Sequence, residues 1–149
     1  MKPVTKFLLF LITIATVIGV VRIMGTNQSL SQPAENVAQS SFEAKESEGG
    51  NVTVSVTPVV LKTGFPASFD IAFETHSVDL AFDVEQIATL TDETGIAYTP
   101  HWDGSPAGGH HRSGILRFTP DLSASSTLTL KLKDIAGIPT RTFTWEATQ

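Results

Sequence analysis

The hydrophobic side chains of this chain change their spacing near residue 50. From Asn51 onward apolar and polar residues alternate one by one, through residues 52–57, 69–74, 79–84, 128–133 and 143–147. A period of two is typical of half-buried strands in an antiparallel sheet. The sequence therefore predicts an all-β domain over residues 51–149.

Clusters of Gly, Pro, Asp and Ser separate these strands, beginning near residues 62, 92, 104 and 137. Such residues favour tight turns, and their spacing predicts seven or eight short strands. We expect an immunoglobulin or fibronectin-like sandwich of two antiparallel sheets, with a small Greek-key barrel as the alternative. The 149 residues include no cysteine, so the disulfide of antibody domains is excluded.

The first 25 residues predict export. After Lys2 and Lys6, residues 7–21 form an unbroken apolar or weakly polar stretch. As a helix, residues 7–25 would span about 28 Å, close to a bilayer core of about 30 Å. The lack of small residues at the usual cleavage positions favours an uncleaved single-pass anchor in the cell membrane over a removed signal peptide. The lysines favour a cytoplasmic N-terminus, so both alternatives place the remainder outside the cytoplasm, either membrane-bound or secreted into the periplasm or medium.

Between anchor and domain, residues 26–50 are rich in Ser, Gln, Glu and Gly, which predicts a flexible linker. The predicted organisation is thus an anchor at 1–25, a linker at 26–50 and a β-domain at 51–149. We expect the membrane as one partner and another exported protein as a second. Ten basic against fifteen acidic residues give a net charge of −5, which disfavours nucleic acid as a partner.

Histidines at predicted strand ends indicate a metal site. His110 and His111 lie in a glycine-rich segment at 102–114, while His76 and Asp79 lie between two earlier strands. If these loops share one end of the domain, the four side chains form a composite site. Neutral imidazole and carboxylate ligands suit zinc or copper(II), so these are the candidate cofactors. In the structural alternative, the histidines cap backbone groups of their loops and bind no metal.

The same segment offers Trp102 and Arg112 as ligand-binding residues. Arg112 beside a glycine-rich backbone predicts capture of an anion or a peptide. The structural alternative pairs Arg112 with Asp79 or Asp103 and uses Trp102 to cover an open edge of the core. The sequence leaves both interpretations open.

Enzyme signatures are weak in this sequence. Ser105 and Ser113 lie near histidines, but no nucleophile-elbow, phosphate-loop or dinucleotide pattern surrounds them. We therefore expect a binding or accessory module rather than an enzyme, with a purely structural or protein-interaction domain as the alternative and a hydrolase as a remote one.

Two segments, THSVDL at 75–80 and WDGSPAGGHHRSGILRF at 102–118, together with DIAGIP and FTW further on, resemble a family of exported bacterial and archaeal domains. Members of this family carry one N-terminal anchor or lipoprotein signal. The resemblance implies an extracytoplasmic β-sandwich over most of residues 51–147. It implies no established activity, and no catalytic residue follows from it.

Overall fold

The computed structural model describes residues 42–124 and 127–149. In these ranges the protein is all-β, as predicted, with one helix of a single turn. The elements in chain order are β1 (Lys45–Gly49), β2 (Val52–Val60), β3 (Ala67–Thr75), α1 (Val84–Ile87), β4 (Ala88–Asp92), β5 (Ala97–Gly104), β6 (His111–Thr119), β7 (Thr127–Ile135) and β8 (Ile138–Glu146).

All of these strands pair in antiparallel fashion, in the spatial order β1-β2-β3-β6-β5-β4-β7-β8. Strand β5 joins the two halves of this order, because Ala97 and Tyr98 pair with β4 while Thr99–Gly104 pair with β6. The sheet is nearly barrel-like, with β1 and β8 as its terminal strands. The predicted number of strands and their antiparallel pairing are confirmed.

The predicted alternation defines the core. Phe69 on β3 lies 5.4 Å from Trp145 on β8 and 5.9 Å from Phe118 on β6, between ring centroids. Side chains from both halves of the strand order therefore meet in one apolar interior. Its fully buried members include Val52, Val54, Val56, Phe69, Ile71, Phe73, Leu116, Phe118, Leu128, Leu130 and Leu132.

Strand β1 corrects the predicted domain boundary. It lies within the segment 26–50, for which the sequence predicts a linker, and Phe42 already packs against the core. The turn to β2 uses Gly50 and Asn51, whose φ angles of 59° and 60° suit a two-residue hairpin. An added Cβ at Gly50 would stand 2.0 Å from the carbonyl oxygen of Ala136, so glycine is required there. The strand escapes prediction because it has no fully buried residue.

A second correction concerns residues 79–84, which alternate like a strand. The segment instead runs irregularly from the end of β3 and enters α1 at Val84, with Asp83 accepting a hydrogen bond from the backbone N–H of Glu85 at 2.9 Å. Leu80 and Val84 are buried as the alternation requires. Their spacing is right, but the Leu80 backbone bonds to Gly108 and Gly109 of a loop instead of a neighbouring strand.

The predicted anchor at 1–25 and residues 26–41 of the predicted linker lie outside the described residues. Among residues 42–124 and 127–149, no helix has the length and apolar character needed to cross a membrane.

Candidate functional site

The segment 102–114, predicted as one loop, belongs mostly to two neighbouring strands. Residues 102–104 end β5, residues 111–114 begin β6, and only 105–110 form the connection. Gly104 pairs directly with Gly114, and an added Cβ on Gly114 would stand 2.4 Å from the Cα of Gly104. The predicted loop is too long because this close glycine pair lets both strands continue.

Trp102 packs against the core. Its ring lies 6.3 Å from that of Phe73, and its indole Nε1 donates a hydrogen bond to the carbonyl of Ser105 at 3.0 Å. The ring also lies across Gly104, where an added Cβ would meet it at 2.5 Å. These contacts agree with the structural interpretation, in which Trp102 covers an edge of the core.

Arg112 is buried, with 3% of its surface exposed. Its Nη1 donates to the carbonyls of Leu80 at 2.9 Å and Phe82 at 2.7 Å, and its Nη2 donates to that of Ser105 at 3.3 Å. Burial lowers the pKa of Arg112, and the nearby charge of Asp83 opposes this shift. The guanidinium thus faces protein carbonyls, which corrects the prediction that Arg112 offers a free cation to an anion.

Neither predicted acidic partner bonds to Arg112 within the described residues. Asp79 Oδ1 accepts a hydrogen bond from the backbone N–H of Gly109 at 2.8 Å. Asp103 forms a salt bridge of 3.3 Å with Arg117, and both side chains are largely exposed. Asp79 therefore positions the loop between β5 and β6.

The two adjacent histidines have different surroundings. The His110 carbonyl accepts a hydrogen bond from the N–H of Thr75 at 3.0 Å, which joins this loop to the end of β3. His111 is the first residue of β6, and its side chain lines a pocket that His110 does not line. His110 belongs to the connection and His111 to β6, so the strand fixes the direction of the His111 side chain alone.

The pocket is open and has a volume of about 700 Å³. It lies where the turn between β1 and β2 meets the ends of β3 and β6. His76 and His111 both line it, with ring centroids 6.3 Å apart and ring planes at 77°. The polar residues around them are Glu48, Asn51, Thr53, Glu74, Thr75 and Ser77.

Strand register brings two carboxylates to this pocket that the sequence did not predict. Glu48 pairs with Thr53, Thr53 with Glu74, and Glu74 with His111, so the four residues form one row across β1, β2, β3 and β6. Directly opposed residues have Cβ atoms about 4.5–5.5 Å apart. The alternation of β3 places Glu74 on the polar face, but only the register identifies His111 as its neighbour.

The structure does not assemble the predicted metal set of His76, Asp79, His110 and His111. Asp79 and His110 do not line the pocket. Within the part of the chain that the structure describes, no three His, Asp or Glu side chains are arranged to hold a metal ion. His76, His111 and Glu74 are exposed in this pocket, and imidazole and carboxylate are ligand types that suit zinc and copper(II).

Comparisons with known proteins add little to this geometry. No protein-family profile and no curated protein matches the chain. A crystal structure of a DUF4426 family protein from Pseudomonas aeruginosa PAO1 is similar at 15% sequence identity and a TM-score of 0.46, over 68% of this chain and 93% of that one. A likeness of this size supports no conclusion about function.

Proposed function

We propose that this chain is a membrane-anchored accessory module that presents its β-domain outside the cytoplasm. The support is the apolar stretch at 7–21, preceded by two lysines and followed by a polar segment. We also propose that the two halves of the strand order pack as an immunoglobulin or fibronectin-like sandwich. The change of partner within β5 and the contact of Phe69 with Trp145 across the core support that arrangement.

The pocket is the binding site in this proposal, and the ligand is a divalent transition metal ion, zinc or copper(II). The observation that carries the proposal is the approach of the His76 and His111 rings to 6.3 Å in an open pocket. Glu74 is paired with His111 and supplies a third ligand after side-chain rotation. With Glu48 in the same row, the carboxylates favour a cation over an anion.

Calorimetric titration of the purified full-length chain in detergent with Zn²⁺, and separately with Cu²⁺, tests the site. We expect the double variant His76→Ala with His111→Ala to bind at least tenfold more weakly, because two of three nitrogen or oxygen ligands are lost. The variant Glu74→Gln should bind more weakly than the natural chain but more tightly than the double variant.

Two matched controls make this test specific. His110→Ala removes the imidazole that precedes His111 in the sequence but does not line the pocket. Asp79→Asn changes the other predicted metal ligand that does not line the pocket. Both should bind the ion as the natural chain does. Equal binding by the natural chain and the His76 and His111 double variant would refute the proposed site.

A structural or protein-interaction domain without metal is the second candidate. It is favoured by the local bonding of Trp102, Asp79 and Arg112, all of which hold the loop between β5 and β6. The absence of binding heat from the natural chain with both Zn²⁺ and Cu²⁺ would support it. A hydrolase has less support, because the Ser105 hydroxyl donates to the carbonyl of Ser113 at 3.1 Å and so is bonded to backbone.

A further inference from the structure

Strand β1 is held differently along its two edges. Along one edge it forms a regular antiparallel ladder with β2, from the pair of Lys45 with Val56 to the pair of Gly49 with Val52. Along the other edge it approaches β8, and among the described residues no backbone ladder joins these two strands. Side chains make the connection instead, so the near-barrel is closed by a seam of a different kind.

Arg141 is the centre of this seam. It lies on β8 and is 2% exposed. Its Nη1 donates to the carbonyl of Ser47 at 2.7 Å, and its Nη2 donates to that of Gly49 at 2.6 Å. A guanidinium offers several donors in a rigid plane, so one side chain serves two carbonyls of an edge strand that a neighbouring backbone would otherwise serve.

Two further side chains extend the seam towards the start of β1. The indole Nε1 of Trp145 donates to the carbonyl of Glu43 at 2.9 Å. In the opposite direction, Lys45 Nζ donates to the carbonyl of Thr144, and the same ammonium lies 5.3 Å from the centroid of the Trp145 ring. The seam therefore runs along the whole strand.

Apolar burial contributes little to the docking of β1. Its sequence is Lys-Glu-Ser-Glu-Gly, and each of its five residues is exposed or only half-buried. Detachment of the strand would therefore expose little apolar surface of its own. The strand depends on its ladder with β2 and on the side chains of β8.

Strand β1 also builds one wall of the proposed binding pocket. Glu48 and Gly49 of β1 and the turn residues Gly50 and Asn51 line one side, opposite Glu74, His76 and His111. The pocket is complete only while β1 is docked. A cation held by Glu74, His76 and His111 would attract the Glu48 carboxylate on the β1 wall, and this attraction would couple the ion to docked β1.

We propose that β1 gates the pocket, with Arg141 as the latch. Docked β1 completes the pocket and detached β1 removes one of its walls. Ligand binding and β1 docking therefore stabilise each other, because coupling between two equilibria is reciprocal. The coupling between β1 docking and ligand affinity rests on the proposed function. The role of Arg141 in holding β1 rests only on the contacts between β1 and β8.

Hydrogen exchange of the full-length chain, followed by mass spectrometry with and without Zn²⁺, tests the gate. We expect Arg141→Lys to speed exchange in peptides covering residues 43–50 at least tenfold, with β3 and β6 unchanged. In the natural chain Zn²⁺ should slow exchange in the same peptides, and the variant should bind Zn²⁺ at least threefold more weakly. The control Arg117→Lys changes an exposed arginine away from the seam and should alter neither quantity.

Trp145→Phe provides a second variant if Arg141→Lys does not fold. It removes the indole N–H to the Glu43 carbonyl and keeps a smaller aromatic ring beside Phe69 and Lys45, and it should speed exchange in the same peptides by a smaller factor. Unchanged exchange there, in whichever of the two variants folds, would overturn the latch. Zn²⁺ binding that leaves β1 exchange unaltered would overturn the coupling while leaving the metal site intact. If the natural chain binds neither Zn²⁺ nor Cu²⁺, the proposed metal site and the coupling both fail. The exchange rates of β1 in the variants then test only whether Arg141 holds β1 in place.

Discussion

Two buried arginines serve this domain in the same chemical way at different places. Arg112 and Arg141 are 3% and 2% exposed, and burial lowers the pKa of both. Within the described residues neither pairs with a carboxylate, and each donates from both Nη atoms to backbone carbonyls. A guanidinium that remains charged can thus replace the backbone donors of an absent strand.

The two arginines differ in what they hold. Arg112 bonds to irregular segments between β3 and α1 and between β5 and β6, and its guanidinium lies 5.1 Å from the centroid of the Phe82 ring. Arg141 bonds to an edge strand whose other side already has a ladder. Loss of Arg112 should therefore weaken the fold as a whole, whereas loss of Arg141 should loosen one edge.

The largest predicted effect is that of Arg112→Met. The substitution removes the hydrogen bonds from a charged donor to the carbonyls of Leu80, Phe82 and Ser105, and such bonds contribute about 1.5–3 kcal/mol each. The Leu80 and Ser105 carbonyls keep the Gly108 N–H and the Trp102 indole as donors, so the largest part of the loss falls on the Phe82 carbonyl. We expect the free energy of unfolding to fall by about 3 kcal/mol or more. Urea unfolding followed by tryptophan fluorescence measures it.

Arg141→Met and Arg117→Met are the companions of that experiment. Arg141→Met should cost clearly less than Arg112→Met because β1 can detach and solvate its carbonyls. Arg117→Met removes an exposed salt bridge and should change stability by less than about 0.5 kcal/mol. Equal decreases in the free energy of unfolding for Arg112→Met and Arg141→Met would show that the two arginines do not differ in this way.

Gly114→Ala tests the close glycine pair that joins β5 and β6 near Arg112. An added Cβ would stand 2.4 Å from the Cα of Gly104, 2.7 Å from the carbonyl oxygen of Asp103 and 2.9 Å from the Trp102 ring. Two of these neighbours are backbone atoms, so the strands must separate. Overpacking of this kind costs about 1–3 kcal/mol, and urea unfolding would show it. Ser113→Ala, at the exposed neighbouring position, should be nearly neutral; a comparable loss there would argue against the glycine contact as the cause.

The smallest predicted effect concerns a buried anion and its dependence on pH. Burial raises the pKa of Asp92, but hydrogen bonds from Thr94, Ile96 and Tyr98 outweigh burial, so the net pKa lies below the ordinary value. A lowered folded-state pKa adds stability above the unfolded pKa, and this stability is lost as the pH falls through the folded pKa.

Asp92→Asn tests that contribution. At pH 7 the variant should be less stable by about 1 kcal/mol, and its stability should fall less steeply on acidification below about pH 4. Urea unfolding at a series of pH values gives both quantities. Identical pH profiles for the two proteins would assign the acid sensitivity to other carboxylates.

Most of the β-rich architecture could be predicted from local patterns. Val52, Val54 and Val56 are buried as their alternation requires, since neighbouring strand residues point to opposite faces. The same rule failed at 79–84, because burial can alternate along a segment whose backbone bonds to a loop. It also missed β1, because a strand held by backbone and polar contacts has no apolar signature.

The candidate site was predicted only in part. His76 and His111 meet as the sequence suggested, but Asp79 and His110 are used elsewhere and Glu74 takes the neighbouring position. The burial of Arg112 could not be predicted from the sequence, because a charged residue between polar neighbours is normally exposed.

Residue alternation alone is enough to predict which side chains face inward along most strands, since a strand exposes its two faces alternately whatever its neighbours are. The sequence also shows that no cysteine chemistry supports the fold. Which residues contact one another follows only from the tertiary structure. It sets the register across β1, β2, β3 and β6, the pairing of Gly104 with Gly114, and the side-chain contacts between β1 and β8. These depend on contacts between segments distant in the chain, and the energy of such contacts is not encoded in any local pattern.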